Sequence, residues 1–300
     1  MNIIKFSGYA TDPETICLTI KGVDAEKFLQ GQFSNDITLI EKNSYQISSF
    51  STNQGKVIAL VRIIKQDQSY IIIINKEISK YFIEKLSIYI LMSDVQIEVS
   101  DNYQIYGICG KAYEDFLSKY QIKEYEVYNA KNGLDLIDNS SKNFNSGMLI
   151  FKSSDENVTI KDLIKLPSSD IINFNINKLA DTCKGVIRLT MNTTESYIPQ
   201  VLNLESLNGI SYKKGCYTGQ EIVARTHYLG KIKKKLYIIT HQSKELKENN
   251  KIYDINNELM GEILSSTQNV DGFKICLAVI RIDSIEKELF SEDQPLKIAT

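Results

Sequence analysis

The chain has no tryptophan and only two histidines among its 300 residues. With His227 and His241 alone available, a histidine-rich metal centre is excluded. The five cysteines, Cys17, Cys109, Cys183, Cys216 and Cys276, are odd in number and far apart. They make neither a disulfide framework nor a paired zinc-ligand pattern, so the expected setting is a reducing cytosol and no metal is expected in the isolated chain. Long apolar runs are missing too. The longest, "YIIIIN" (70–75) and "FIEKLSIYILM" (82–92), are far too short to span a bilayer, and no membrane partner is expected. The start, "MNIIKFSGYATDPET", has little apolar sequence behind Lys5 and does not read as a secretory signal. An excess of either charge is also lacking: 35 basic residues oppose 37 acidic ones, a net charge of −2. No global basic field exists to capture nucleic acid, which leaves room only for a local patch.

What is present reads as an α+β chain. Three hundred residues exceed one average domain, and 43% hydrophobic with 24% charged residues is an ordinary globular composition. "TICLTIKG" (15–22) is a β-branched strand ending at glycine. "DAEKFLQGQFS" follows as a helix with Asp24 as N-cap and Phe28 and Leu29 buried. "SYQISSFST" and "KVIALVRIIKQ" read as strands joined at "NQG" (53–55), and "SYIIIIN" as a central strand. Spacing by four of Ile78, Phe82, Leu86 and Ile90 predicts a helix over 76–92. "VQIEVS" and "YQIYGICG" return to strand. A looser section follows: a helix over 112–120, strands near 124–128 and 147–152, a polar loop over 139–147, a short helix near 160–165 and a connector over 166–178. After 230, short strands at regular spacing predict a small antiparallel barrel or sandwich.

The least ordinary stretch is "KKGCYTGQEIVARTHYLGKIKKK" (213–235). Thr218 and Glu221 fit a capping box, and Gly230 a stop, for a helix over 219–229. On that reading Gly215 serves a bend, Lys213 and Lys214 are solvated, and Cys216 fills space. A sharper reading starts from the position of Cys216, two residues before the expected N-cap and just after two lysines. Both features favour a thiolate, hence a nucleophile, a redox centre or a soft-metal ligand. One thiolate cannot hold an iron–sulfur cluster, so any cluster role makes Cys216 a ligand shared with a partner. From 213 to 235 seven Lys and Arg residues face one acid, Glu221. The cluster Lys231, Lys233, Lys234 and Lys235 is either a solvated edge or a surface facing the phosphates of RNA or a polyglutamate tail.

Three blocks carry a resemblance: "IKGVDAEKFLQGQFSND" (20–36), "NQGKVIALVRI" (53–63) and "YIPQVLNLESLNGISYKKGCYTGQEIVAR" (197–225). Together they resemble the YgfZ family, folate-dependent relatives of the glycine-cleavage T-protein, with the K-G-C-Y-x-G-Q-E core complete from Lys214 to Glu221. The resemblance implies a three-domain ring around a central folate channel with a C-terminal antiparallel β-barrel. On this chain that means an N-terminal domain over 1–105 completed by 179–230, a second α+β domain over 106–178, and the barrel over 231–300. It further implies tetrahydrofolate or a one-carbon derivative as cofactor. The implied partners are iron–sulfur enzymes such as a tRNA methylthiotransferase; a weak tRNA contact is expected from the basic patch of 213–235. Cys216 becomes the reactive thiol of a motif that includes Lys214, Gly215, Tyr217, Gly219, Gln220, Glu221 and Arg225. Gln32, Asp36, Tyr197, Tyr217 and Glu221 become the folate contacts.

The chain departs from the pattern in three places. Aminomethyltransferases carry an acidic pair after the hairpin glycines, where this chain has Ala59 and Leu60. The acid–base step of aminomethyl transfer then has only Asp36 or Glu221 to serve it. No tryptophan stands beside the folate site, leaving Phe174, Tyr197 or Tyr217 as the stacking surface. The family's "R-I-x-x-G-I-P" element is replaced by "DTCKGVIRL" (181–189). The expected function is a folate-binding accessory protein for iron–sulfur enzymes and, through them, tRNA modification. The alternatives are a one-carbon transferase and a tRNA-binding protein using the basic patch.

Overall fold

The computed structural model describes residues 6–41, 44–67, 69–100, 102–122, 127–130, 134–152, 170–242, 247–270, 273–292 and 294–299. Among these are three antiparallel sheets and five α-helices: α1 (Ala25–Gln32), α2 (Lys76–Ser87), α3 (Lys111–Lys119), α4 (Ile176–Lys184) and α5 (Gln220–Leu229). The first sheet runs in the order β1 (Gly8–Thr11), β7 (Tyr103–Cys109), β10 (Ser146–Lys152), β9 (Leu134–Asp138), β8 (Val127–Ala130). The second runs β3 (Tyr45–Ser51), β4 (Val57–Gln66), β5 (Ser69–Asn75), β2 (Thr15–Lys21), β6 (Gln96–Val99). The third runs β16 (Gln294–Pro295), β15 (Leu289–Ser291), β12 (Lys251–Asp254), β13 (Leu259–Val270), β14 (Phe273–Arg281), β11 (Lys234–His241), β17 (Lys297–Ile298). Its two edge strands are separated in sequence by Leu296 alone, so the seven strands curl into a nearly closed barrel.

Strand β5 is apolar throughout because both its faces are covered. Tyr70, Ile72 and Ile74 point into a core with α1 and α2, while Ile71 and Ile73 meet Ile105, Ile137, Met148 and Ile150 of the first sheet. The same rule explains β14. Cys276, Ala278 and Ile280 fill the barrel, and Leu277 and Val279 face outward into the core of the second sheet. The segment after α4 is laid over the second sheet by backbone bonds from Val57 to Tyr197 and from Glu195 to Val57, each 2.8 Å. Leu236 N–H then bonds the Val201 carbonyl at 2.8 Å, tying this segment to the barrel.

Two expected boundaries move. The helix predicted over 76–92 ends at Ser87. There the bonding tightens to three-residue steps, Tyr89 to Leu86 and Ile90 to Ser87, and Leu91 turns left-handed at φ 44°, which returns the chain to pair β6 with β2. The connector expected over 166–178 is already helical from Ile176. Asn175 caps α4 by accepting from Lys178 N–H, and Ile176, Leu179, Ala180 and Cys183 form its buried stripe. Strand β9 was not expected, while the helix near 160–165 and the first residues of the strand near 124–128 lie outside the described residues.

Candidate functional site

The cysteine loop is fastened to the first sequence block by a set of local bonds. Lys214 is buried, and its ammonium donates to the carbonyls of Gln30, Phe33 and Asn35 at 2.7, 2.8 and 2.8 Å. Those carbonyls belong to the end of α1 and the turn behind it, where the helix leaves acceptors unmatched. Thr218 N–H bonds the Gly31 carbonyl at 3.2 Å, and Thr218 Oγ1 donates to Gln32 Oε1 at 2.8 Å. Upstream, Ser211 N–H reaches Ser34 O at 2.9 Å, Ser34 Oγ donates to Gly209 O at 2.6 Å, and Asn35 Nδ2 donates to Asn208 O at 2.7 Å. Asp36 closes the group. Thr38 and Gln30 hydrogen-bond its carboxylate and hold it below the usual range, with Lys214 adding to the effect.

The second block, 53–63, packs on the same place. Gly55 of the β3–β4 turn has φ 70° and Gly219 has φ 83°. A Cβ on Gly219 would sit 2.5 Å from the Thr52 carbonyl and 3.1 Å from Gly55 Cα. Gly219 is therefore required by close backbone approach as well as by left-handed conformation, whereas Gly55 is favoured by its left-handed conformation and by the Ile222 side chain packed 3.0 Å from where a Cβ would sit. Gly215 has open space around it and no positive φ, so the bend expected there is not what selects glycine.

The expected capping box is corrected. The N-cap of α5 is Gly219, with no side-chain cap, because the Thr218 hydroxyl is spent on Gln32. Cys216 thus lies three residues before the N-cap; it is exposed, whereas the other four cysteines are buried. Lys214 is not solvated, as the plain-turn reading has it, but is an internal clamp. Tyr217 is buried beneath the Lys214 ammonium, which stands 5.1 Å from its ring centroid, and its hydroxyl has no hydrogen-bond partner among the described residues. Burial pushes that phenol up to about 12. Glu221 and Arg225 are exposed on α5, behind the half-buried Gln220. Tyr197 goes elsewhere: its hydroxyl donates to Glu262 on β13, joining the segment over the second sheet to the barrel.

A second constellation sits where the first two sheets meet α4. Arg62 of β4 pairs with Asp181 of α4 and also bonds Asn139 at 3.2 Å. Arg188 bonds the other Asp181 oxygen at 2.7 Å and Asp12 at 3.1 Å. Asn175, Asn177 and Thr15 complete Asp12 at 2.7, 3.1 and 2.9 Å. Burial alone would raise the Asp181 carboxyl, but Arg62, Arg188 and Asn139 hold it below the usual range. Two cavities open beside this network and share Pro13, Glu14 and Lys178. One of about 420 Å³ is lined by Asn75, Lys76, Lys178, Arg188, Thr190 and Glu248. The other, about 880 Å³, is lined by Thr11, Phe174, Asn175, Lys178, Ser266 and Lys274. Of the aromatic residues considered for stacking, Phe174 lines this space; Gln32, Asp36, Tyr197, Tyr217 and Glu221 line neither cavity.

No family model matches the chain. It is 32% identical over 237 residues to the tRNA-modifying protein YgfZ of Buchnera aphidicola subsp. Schizaphis graminum, across 76% of this chain and 72% of that protein. The chain belongs to the YgfZ family. The tRNA-modifying protein YgfZ of Colwellia psychrerythraea is 26% identical over 271 residues, 89% of this chain and 83% of that one. Among solved structures, the glycine cleavage system aminomethyltransferase T from Bartonella henselae superposes with a TM-score of 0.74 at 10% identity, covering 99% of this chain and 86% of that chain. The YgfZ chain described here therefore has the T-protein-like fold.

Within this YgfZ fold the motif residues cluster as one unit, while the cavity is built from residues that carried no motif. Asp12, Arg62, Asp181 and Arg188 were missed. Asp181 and Arg188 stand inside "DTCKGVIRL", the element that departs from the family wording. A charge inside an apolar strand was the available signal: Arg62 interrupts "VIALVRII", where a lone arginine has to find a buried partner.

Proposed function

We propose that this protein is a folate-binding accessory factor that supports iron–sulfur enzymes and, through them, tRNA modification, with Cys216 as its working residue. The observation that carries the reading is the contrast among the five thiols: Cys216 is exposed on a loop fixed at both ends by Lys214 and Thr218. A rigidly presented thiol suits transfer to, or shared ligation with, a partner. The relatives' name, tRNA-modifying protein, supplies the process.

The cavity chemistry fits a folate. A volume of about 420 Å³ is within the usual range for a small-molecule site. Lys76, Lys178 and Arg188 would pair with the glutamate carboxylates, Asn75 and Thr190 would serve the pterin edge, and Phe174 of the adjoining space would supply an aromatic face. When bound, the folate supplies a one-carbon carrier. The protein's own part is to hold it: Asp181 and Asp12 keep the two arginines charged and fixed. Both aspartates are committed to guanidinium partners, and Ala59 and Leu60 are core residues. Asp36, committed to Thr38 and Gln30, and the exposed Glu221 line neither cavity, so the accessory role is favoured over aminomethyl transfer.

The deciding experiment is complementation. In cells lacking the native protein, Cys216→Ser should fold normally yet fail to restore an iron–sulfur-dependent tRNA methylthiolation. Full restoration would reduce the loop to a structural turn. Saturating tetrahydrofolate should raise the melting temperature of the purified protein, and no shift with any one-carbon form would remove the folate part of the reading.

A further inference from the structure

The outer side of α5 and the strand entry behind it carry side chains that neither the thiol loop nor the cavity uses. Lys213, Arg225, Lys231 and Lys233 are exposed and form no ion pair among the described residues. The nearby acid Glu205 is already engaged, accepting from Tyr212 OH at 2.6 Å and meeting His227 Nδ1 at 2.8 Å. Glu221 is the one acid within 213–235. Cation excess of this kind is a common solvated surface, and charge alone would carry nothing further.

The aromatic residues change the reading. Tyr212 stacks on His227 with centroids 3.8 Å apart and planes at 19°. Tyr228 meets both rings edge-on, at 4.8 Å and 81° from His227 and at 6.1 Å and 65° from Tyr212. Its ring is thus positioned by its edge yet remains 66% exposed. Arg225 lies three residues earlier on α5 and so shares its side of the helix. A fixed, open aromatic face, with cations at 213, 225, 231 and 233 that form no ion pair among the described residues and lie within five residues of Tyr212 or Tyr228 in the chain, matches a ligand that offers planar groups and regularly spaced anions together. A nucleic acid strand with unpaired bases has that chemistry; an acidic polypeptide lacks the planar groups, and a duplex hides them.

We propose that this face binds single-stranded nucleic acid, with Tyr228 stacking on a base and Lys213, Arg225, Lys231 and Lys233 taking phosphates. The site is separate from the cavity, so its test runs without folate and with Cys216 intact. The probes are labelled 12-nucleotide single strands of mixed sequence, one RNA and one DNA, read by fluorescence anisotropy. Four phosphate contacts on a single strand predict roughly fifty-fold weaker binding at 200 mM than at 50 mM salt. Tyr228→Ala should weaken binding roughly 5- to 100-fold with the salt dependence unchanged, and Tyr228→Phe should retain it. Lys231→Glu with Lys233→Glu should weaken binding and flatten the salt dependence. Tighter binding of one strand type identifies the natural source as RNA or DNA, and either supports the proposal. It is overturned if neither strand binds at 50 mM salt. It is equally overturned if duplex, heparin or polyglutamate binds as tightly as the single strands, or if Tyr228→Ala leaves affinity unchanged. Every substituted position is exposed, so unchanged melting curves check that the variants fold.

Discussion

Replacing Lys214 by methionine keeps the unbranched stem and removes the ammonium. Three donors then vanish from the carbonyls of Gln30, Phe33 and Asn35. Hydrogen bonds to a charged group contribute about 1.5–3 kcal/mol each, so the gross loss is roughly 4–9 kcal/mol. Against this stands the cost of holding an ammonium away from water, several kcal/mol. The expected net destabilisation of Lys214→Met is about 2–4 kcal/mol, read from urea unfolding at pH 7. The pH dependence separates the two contributions. Burial draws the Lys214 ammonium down from 10.5 to about 8, with Asp36 opposing. Between those values the unfolded chain holds this proton and the folded chain has shed it, so stability rises with pH across that window. The methionine variant should lack this rise, and its deficit should therefore widen from pH 8 to 10. If Lys214→Met unfolds within about 0.5 kcal/mol of the parent at pH 7, the ammonium does not clamp the loop; if the parent shows no rise between pH 8 and 10, burial does not penalise it.

Asp181→Asn should cost about 3–5 kcal/mol, because two buried guanidiniums lose their shared anion. The Asp181 carboxyl is held low, so its contribution is full above the ordinary carboxylate range and lost as pH falls through the folded value; acid unfolding of the asparagine variant should accordingly be less steep. Gly219→Ala should destabilise by more than about 1 kcal/mol in thermal melts, while Gly215→Ala should stay within about 0.5 kcal/mol, because only Gly219 combines a positive φ with a close backbone neighbour. Alkylation of the native protein at neutral pH should consume Cys216 first, since Cys17, Cys109, Cys183 and Cys276 are buried with thiols pushed up to about 12; equal reaction of all five thiols before unfolding would contradict the burial pattern.

Much of the fold could be read from sequence because the strands are strongly patterned. "SYIIIIN" is apolar on both faces, and the structure buries both. The short strands after 230 close nearly into a barrel because β16 and β17, separated by Leu296 alone, lie at the two ends of one sheet. Helix ends were less legible. The period of four in Ile78, Phe82, Leu86 and Ile90 continues past the point where the helix stops, since Ile90 still packs on the core from a turn. In α4 a stripe at 176, 179, 180 and 183 was present, but the apolar Ile171, Ile172 and Phe174 just before it blur where the helical period begins. Thr218 and Glu221 matched a capping box in spacing alone. What spacing cannot reveal is that a distant side chain, Gln32, competes for the threonine hydroxyl.

The motif was legible for the same reason that it is densely bonded. Its residues act on one another across two blocks, and each bond uses a residue type with few substitutes. An extended amine is needed to reach three carbonyls at once, a hydroxyl to meet Gln32, and glycine to lie against Gly55. The buried network obeys the opposite logic. Arg62, Asp12 and the Asp181–Arg188 pair come from three separate stretches, and a lone charge in a sequence reads as exposed until its partner is placed beside it. Their two positive and two negative charges balance only in the folded chain. Breaking one pair would unbalance the rest, which couples the second sheet to α4 and to the strand entry at Asp12. A ligand carboxylate entering the adjoining cavity would meet Arg188 already fixed by its two aspartates. That preorganisation would lower the ordering cost of binding, so the network that ties the second sheet to α4 would also favour an anion in the cavity.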